Sequence, residues 1–116
     1  MKILITGSQG FLGKSLAHYA VKQGHHVLGV SRSEPNGLIA GMGFMRCALD
    51  QAGFVDVLNS FAPDVVVHAA GSASVGYSFQ QPREDFLMAV ETWASVLDAV
   101  RKAEGNPLVI FPSSAS

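Results

Sequence analysis

Apolar and polar positions alternate in blocks along this chain, and the blocks predict a strand and helix order before any residue is assigned a role. Lys2 to Thr6 is a short run of branched residues that breaks at a glycine cluster. An amphipathic segment from about Phe11 to Gln23 follows, with Leu12, Leu16, Tyr19 and Ala20 expected on its apolar face and Gly24 where a helix should end. His26 to Val30 reads as a second strand, closed by Ser31-Arg32-Ser33. Residues 34–43 carry one proline and three glycines and predict an irregular crossover. Phe44 to Leu49 is expected to form the third strand. Asp50 is placed to cap a helix whose apolar face is Phe54, Val55, Leu58 and Phe61, and Pro63 ends that helix.

Val65-Val66-Val67 is continuously apolar, as a central strand buried on both faces must be. It runs into Ala69-Ala70-Gly71. After Pro82 a long helix is predicted from about Arg83 to Glu104, its stripe of Phe86, Val90, Trp93, Leu97 and Val100 expected to pack on the sheet as core. Leu108 to Phe111 reads as a fifth buried strand leading to Ser113-Ser114-Ala115-Ser116. Strands that alternate with helical crossovers pair in parallel, so the fold class is α/β, a doubly wound parallel sheet of about five strands ordered 3-2-1-4-5. Ligands of such sheets bind at the carboxyl ends of the strands beside the point where strand order reverses, here between the first and fourth.

That edge gathers the chemistry. Gly7-Ser8-Gln9-Gly10-Phe11-Leu12-Gly13 joins the first strand to the first helix, the context in which a glycine pattern points to a dinucleotide. Gly7 permits the tight turn, Gly10 lets a pyrophosphate approach the backbone, and Gly13 lets the helix pack closely. The helix N-terminus then faces the phosphate charge, with Gln9, Phe11 and Leu12 beside it. The second strand ends without a carboxylate. Ser31 and Arg32 offer a hydroxyl and a guanidinium instead, which favours the 2′-phosphate of NADP over the bare ribose of NAD. Asp50, beside Leu49, is a candidate acceptor for the adenine amino group as well as a helix cap. Ala69, Ala70 and Gly71 form the turn across the cleft. His68 lies in an apolar strand and reads as packed core, and His25 and His26 point to opposite faces, so no metal clip is expected.

Composition narrows the setting. With 116 residues, 48% of them hydrophobic, the chain makes one ordered domain, and no linker or repeat divides it. Eight Lys+Arg against nine Asp+Glu, without a basic run, argue against a nucleic-acid or anionic-membrane partner. One cysteine, Cys47, cannot form an internal disulfide, which suits a reduced, cytoplasmic environment.

These motifs together resemble the extended branch of the short-chain dehydrogenase/reductase family, the group of NAD(P)-dependent sugar-nucleotide epimerases and dehydratases. Thr6-Gly7 through Gly13 is similar to its TGxxGFxG fingerprint, and His68-Ala69-Ala70-Gly71 to its HxAG segment. Ser74-Val75-Gly76 through Ser78 and Pro82 looks like the epimerase and dehydratase loop. The resemblance implies a Rossmann-type cofactor domain over residues 1–116, a nucleotide-sugar substrate, and a homodimer through the 83–104 helix. It also implies that Ser114, in Ser113-Ser114-Ala115, is the catalytic hydroxyl. The family's Tyr-x-x-x-Lys pair has no match, since Gln23 and Gln81 stand four residues after Tyr19 and Tyr77. The chain therefore reads as an amino-terminal piece, without the substrate lobe and inactive by itself. Ala89 and Ala73 stand where the family carries an asparagine and epimerases tend to carry a lysine. Epimerase, dehydratase and reductase chemistry all stay open, as does a non-catalytic dinucleotide-binding sensor or scaffold module.

Overall fold

The computed structural model describes residues 1–32, 37, 39–70 and 82–112. Five strands form one sheet in the order β3-β2-β1-β4-β5: β1 is Lys2–Thr6, β2 His26–Ser31, β3 Met42–Arg46, β4 Val65–His68 and β5 Leu108–Ile110. Every pairing is parallel, as crossovers through helices require. Among the described residues three helices lie in the connections β1 to β2, β3 to β4 and β4 to β5: α1 over Phe11–Lys22, α2 over Ala52–Phe61 and α3 over Pro82–Lys102. The doubly wound Rossmann-type sheet expected from the strand pattern is the observed one.

The sheet divides two apolar layers. Leu4, Val30 and Val66 pack with Phe54 and Leu58 of α2 and with Val96 and Ala99 of α3. Ile5, Val27 and Val67 pack on the other side with Ala17 and Ala20 of α1. Each large side chain so buried contributes about 1.5–3 kcal/mol. Parallel β1 and β4, central in the sheet, are lined on both faces, which is why Val65-Val66-Val67 could not alternate.

Several expectations need correction. Helix α1 buries Gly13, Ala17 and Ala20, while Leu12 and Tyr19 are exposed. The reason is distance: a Cβ at Gly13 would lie 2.2 Å from the carbonyl oxygen of Gly7. Only small residues fit beneath a helix held so near the sheet. In α3 the buried positions are Val96 and Ala99, with Trp93 and Val100 partly buried beside them, whereas Phe86, Val90 and Leu97 face outward. The apolar stripe is wider than the sheet can cover, so only its inner margin is core. β3 starts at Met42 and ends at Arg46, leaving Cys47 to Leu49 beyond the strand instead of within it. β5 is an edge strand with Leu108 and Ile110 exposed, not a buried one. Helix α2 is capped at Gln51 without a side-chain bond, so Asp50 is not its cap.

The end of α1 closes as Gly24 foretold. Gly24 takes φ +87° after α1, and its N–H donates to the carbonyl of Val21 while that of His25 reaches Ala20. Among the described residues no helix is long and apolar enough to cross a membrane.

Candidate cofactor site

The chain passes from β1 into α1 through a turn in which Gly7 has φ +69°. That angle favours glycine, and space excludes anything larger: a Cβ there would come within 2.6 Å of the backbone of Ala70. The turn after β1 and the turn after β4 are therefore in direct backbone contact. Thr6 joins them. Its carbonyl accepts from the N–H of Ala69 at 3.0 Å, and its Oγ1 accepts from the N–H of Ala70 at 3.3 Å.

The same Oγ1 lies 2.7 Å from Nδ1 of His68. A neutral imidazole makes this bond in either tautomer, the hydroxyl donating to a bare Nδ1 or accepting from Nδ1–H. Burial holds the His68 pKa below the ordinary histidine value, in keeping with that neutral form. The ring is stacked with Trp93 and Phe111 at centroid distances of 5.6 and 5.8 Å. Among the described residues its buried Nε2 has no hydrogen-bond partner. The histidine is packed, as its apolar strand suggested, and it also lines the cleft above.

That cleft, of about 980 Å³, opens at the carboxyl ends of the strands beside the β1/β4 reversal. Gly7, Gln9, Gly10, Phe11 and Leu12 form one wall. Ser31, Arg32, Leu49 and Asp50 lie along it at the ends of β2 and β3, and Ala69 and Ala70 at the end of β4. Eleven of the residues expected around a dinucleotide thus share one cavity. Gly71 and Ser114 lie outside the described residues.

Helix α1 presents its N-terminus here under conditions suited to an anion. Its cap, Gly10, makes no side-chain hydrogen bond, and its first turn holds no acidic residue. The leading N–H groups and the positive end of the helix dipole meet the cleft at Gly10, Phe11 and Leu12. A pyrophosphate fits that wall without a side chain in its way, since a Cβ at Gly10 would meet only the Gly7 carbonyl oxygen at 3.4 Å.

The facing wall comes from α3, of which only Ala89, where the family carries an asparagine close to the nicotinamide, was expected near the cofactor. Leu87, Met88, Ala89, Thr92 and Ser95 all line the cleft. Helical periodicity marks which residues of α3 are apolar but not which element faces each of them. Cys47 is a further lining residue. Burial first, then the carboxylates of Asp50 and Asp56, pushes its thiol pKa up, so it is a neutral contact at physiological pH.

Comparison with known proteins gives this geometry a context. The sequence matches the NAD dependent epimerase/dehydratase family over residues 3–116. It is 32% identical to Protein CapI of Staphylococcus aureus, covering 99% of this chain and 38% of that protein. It is 30% identical to the CDP-paratose 2-epimerase of Salmonella typhi, covering 98% and 37%. The UDP-glucose 4-epimerase of Brucella ovis, solved in complex with NAD, superposes with a TM-score of 0.86 at 31% identity over 98% of this chain and 36% of its own. The chain spans somewhat more than a third of the length of these relatives. With a fold that superposes on solved relatives and a family match over residues 3–116, the chain belongs to the NAD dependent epimerase/dehydratase family.

Proposed function

We propose that residues 1–116 form the NAD(P)-binding Rossmann domain of an epimerase, dehydratase or reductase that acts on a nucleotide-linked sugar. The observation that carries this reading is the single cleft in which the uncapped N-terminus of α1, the β2 end and the β4 turn converge. The α1 terminus would hold the pyrophosphate. Asp50 would accept from the adenine amino group and Leu49 would pack on the base, while the Ala69-Ala70 turn would flank the nicotinamide half. The dinucleotide supplies a hydride acceptor and donor.

NADP is favoured over NAD in this reading, although the Brucella ovis relative was solved with NAD. Support comes from Arg32, which lines the cleft immediately after β2 where a carboxylate would repel a 2′-phosphate. Ser114 is proposed as the hydroxyl that contacts the substrate oxygen. Proton transfer needs a base as well, and the Tyr-x-x-x-Lys pair that the resemblance implies is not among these 116 residues. This chain by itself accordingly binds cofactor without turnover. The exposed Phe86, Val90 and Leu97 of α3 support a homodimer through that helix. A cytoplasmic location belongs to the same reading.

The test is calorimetric titration of the 116-residue chain with NADPH and NADH, beside an Arg32→Ala variant. Saturable binding that favours NADPH and is weakened by the substitution is expected. A folded chain that binds neither dinucleotide sinks the assignment.

A further inference from the structure

The two walls of the cleft differ in charge. One wall offers the N-terminus of α1, without a side-chain cap and without an acidic residue in its first turn. Among the described residues Arg32 is the one lysine or arginine that lines the cavity. Three carboxylates share that lining: Asp50 beyond β3, and Glu84 and Glu91 of α3. The two glutamates stand two helical turns apart, so both fall on the line of α3 that meets the cleft. Among the described residues neither is ion-paired. The ion pairs of α3 lie at its far end, where Asp98 meets Arg101 and Lys102 at 2.8 and 2.9 Å. The sequence outside the described residues holds no lysine or arginine, so it brings no further cation to the balance. His68 adds none either, because burial favours its neutral form. Among the described residues its buried Nε2, in the same lining, lacks a partner, an independent sign that a ligand completes the cleft.

A cleft of this kind is polarised, favouring an anion at α1 and positive charge toward α3. The two redox states of a nicotinamide dinucleotide differ in that respect. The oxidised ring is a cation, and the hydride that reduces it brings an electron pair that cancels the charge, while the pyrophosphate is the same in both. We propose that Glu84 and Glu91 are specificity-determining residues that make the cleft hold the oxidised dinucleotide more tightly than the reduced one. The proposal rests on the dinucleotide reading above and deepens it by naming the redox state that the site selects. Both glutamates are exposed, so their field acts through water and needs no direct contact with the ring. At about 8–10 Å through water, one carboxylate changes the ratio of the two affinities by about twofold. A domain so biased holds its cofactor ready to accept a hydride.

The experiment titrates the 116-residue chain with the oxidised and reduced forms of NAD and of NADP and reads the ratio of the two affinities within each pair. Contributions common to both forms, any preference for a 2′-phosphate among them, cancel in that ratio. Wild type is compared with Glu84→Gln, Glu91→Gln, the double variant and Glu104→Gln, which removes the same charge just beyond α3 and outside the cleft. At low salt the wild type is expected to favour the oxidised form by about fourfold or more. Each single cleft substitution should cut that preference by about twofold and the double variant by about fourfold, with Glu104→Gln unchanged. Raising the salt to about 0.5 M should bring the wild-type ratio toward that of the double variant. A wild type that favours the reduced form overturns the proposal. So does a double variant whose ratio matches the wild type, or an equal change in Glu104→Gln, and in these cases the dinucleotide cleft still stands. If a folded wild type binds neither form of either dinucleotide, the cleft reading fails as well.

Discussion

Substituting alanine for glycine at three positions separates backbone strain from steric overlap, because the structure presents each case in isolation and both together. At Gly24, φ is +87° and a new Cβ would meet nothing within 4 Å, so only conformational cost applies, about 1–2 kcal/mol. At Gly13 the backbone is helical, and alanine would add about 0.8–1 kcal/mol of helix propensity. Its Cβ, however, would press to 2.2 Å from the Gly7 carbonyl oxygen, backbone that cannot rotate away. Overpacking of that kind costs about 1–3 kcal/mol and more when a helix must shift. Gly7→Ala incurs both penalties, since φ is +69° and the new atom would lie 2.6 Å from the Ala70 backbone. The expected loss is about 2–5 kcal/mol, a large share of the 5–15 kcal/mol that hold a typical domain. Urea denaturation followed by circular dichroism orders the variants: Gly24→Ala least affected, Gly7→Ala most. Should Gly7→Ala prove no less stable than Gly24→Ala, the turns after β1 and β4 are not in contact, and the account of the cleft wall is wrong.

Thr6→Val should cost about 1–3 kcal/mol by denaturant titration, because the Ala70 N–H and the His68 Nδ1 both lose the oxygen they share. Adding His68→Phe should recover part of that loss, as expected when both residues belong to one network. The lowered His68 pKa has a pH signature: below about 6.5 the unfolded chain takes up a proton that the folded chain refuses. Stability is then complete above that pH and declines as the pH falls through it, and His68→Phe should flatten the decline in urea midpoints measured from pH 7.5 to 5.5. For the proposed dimer, Val90→Glu together with Leu97→Glu should shift sedimentation toward the monomer while leaving the circular dichroism spectrum intact.

The strand order and the cleft-lining turn were legible because both follow from local rules. Val65-Val66-Val67 could only be central, and a glycine turn between a strand and a helix places donors at one edge. What escaped were distances between elements. Nothing in the periodicity of α1 says that Gly13 draws the helix within touching range of Gly7, so the larger Leu12 and Tyr19 looked like core. Similarly, the α3 stripe is uniform in hydrophobicity, and only the width of a five-strand sheet decides that Val96 and Ala99 are buried while Phe86 and Leu97 are not. Asp50 resembled a cap because the residue before a helix often is one, yet the register of β3 ended the strand early and moved the cap to Gln51. Arg46 Nε donates to the Arg32 carbonyl at 3.0 Å, a bond that depends on the pairing of β2 with β3, which no single segment encodes.

Thr6 gives the cleft the character of a socket and not of a hinge. Its carbonyl holds Ala69, its hydroxyl oxygen holds Ala70 and His68, and Gly7 beside it touches the same backbone. Parting β1 from β4 would break all of these at once, so the two turns form a fixed floor of the cleft. The amides of Ala69 and Ala70 should then exchange with deuterium slowly in the empty protein and scarcely more slowly once the cleft is filled.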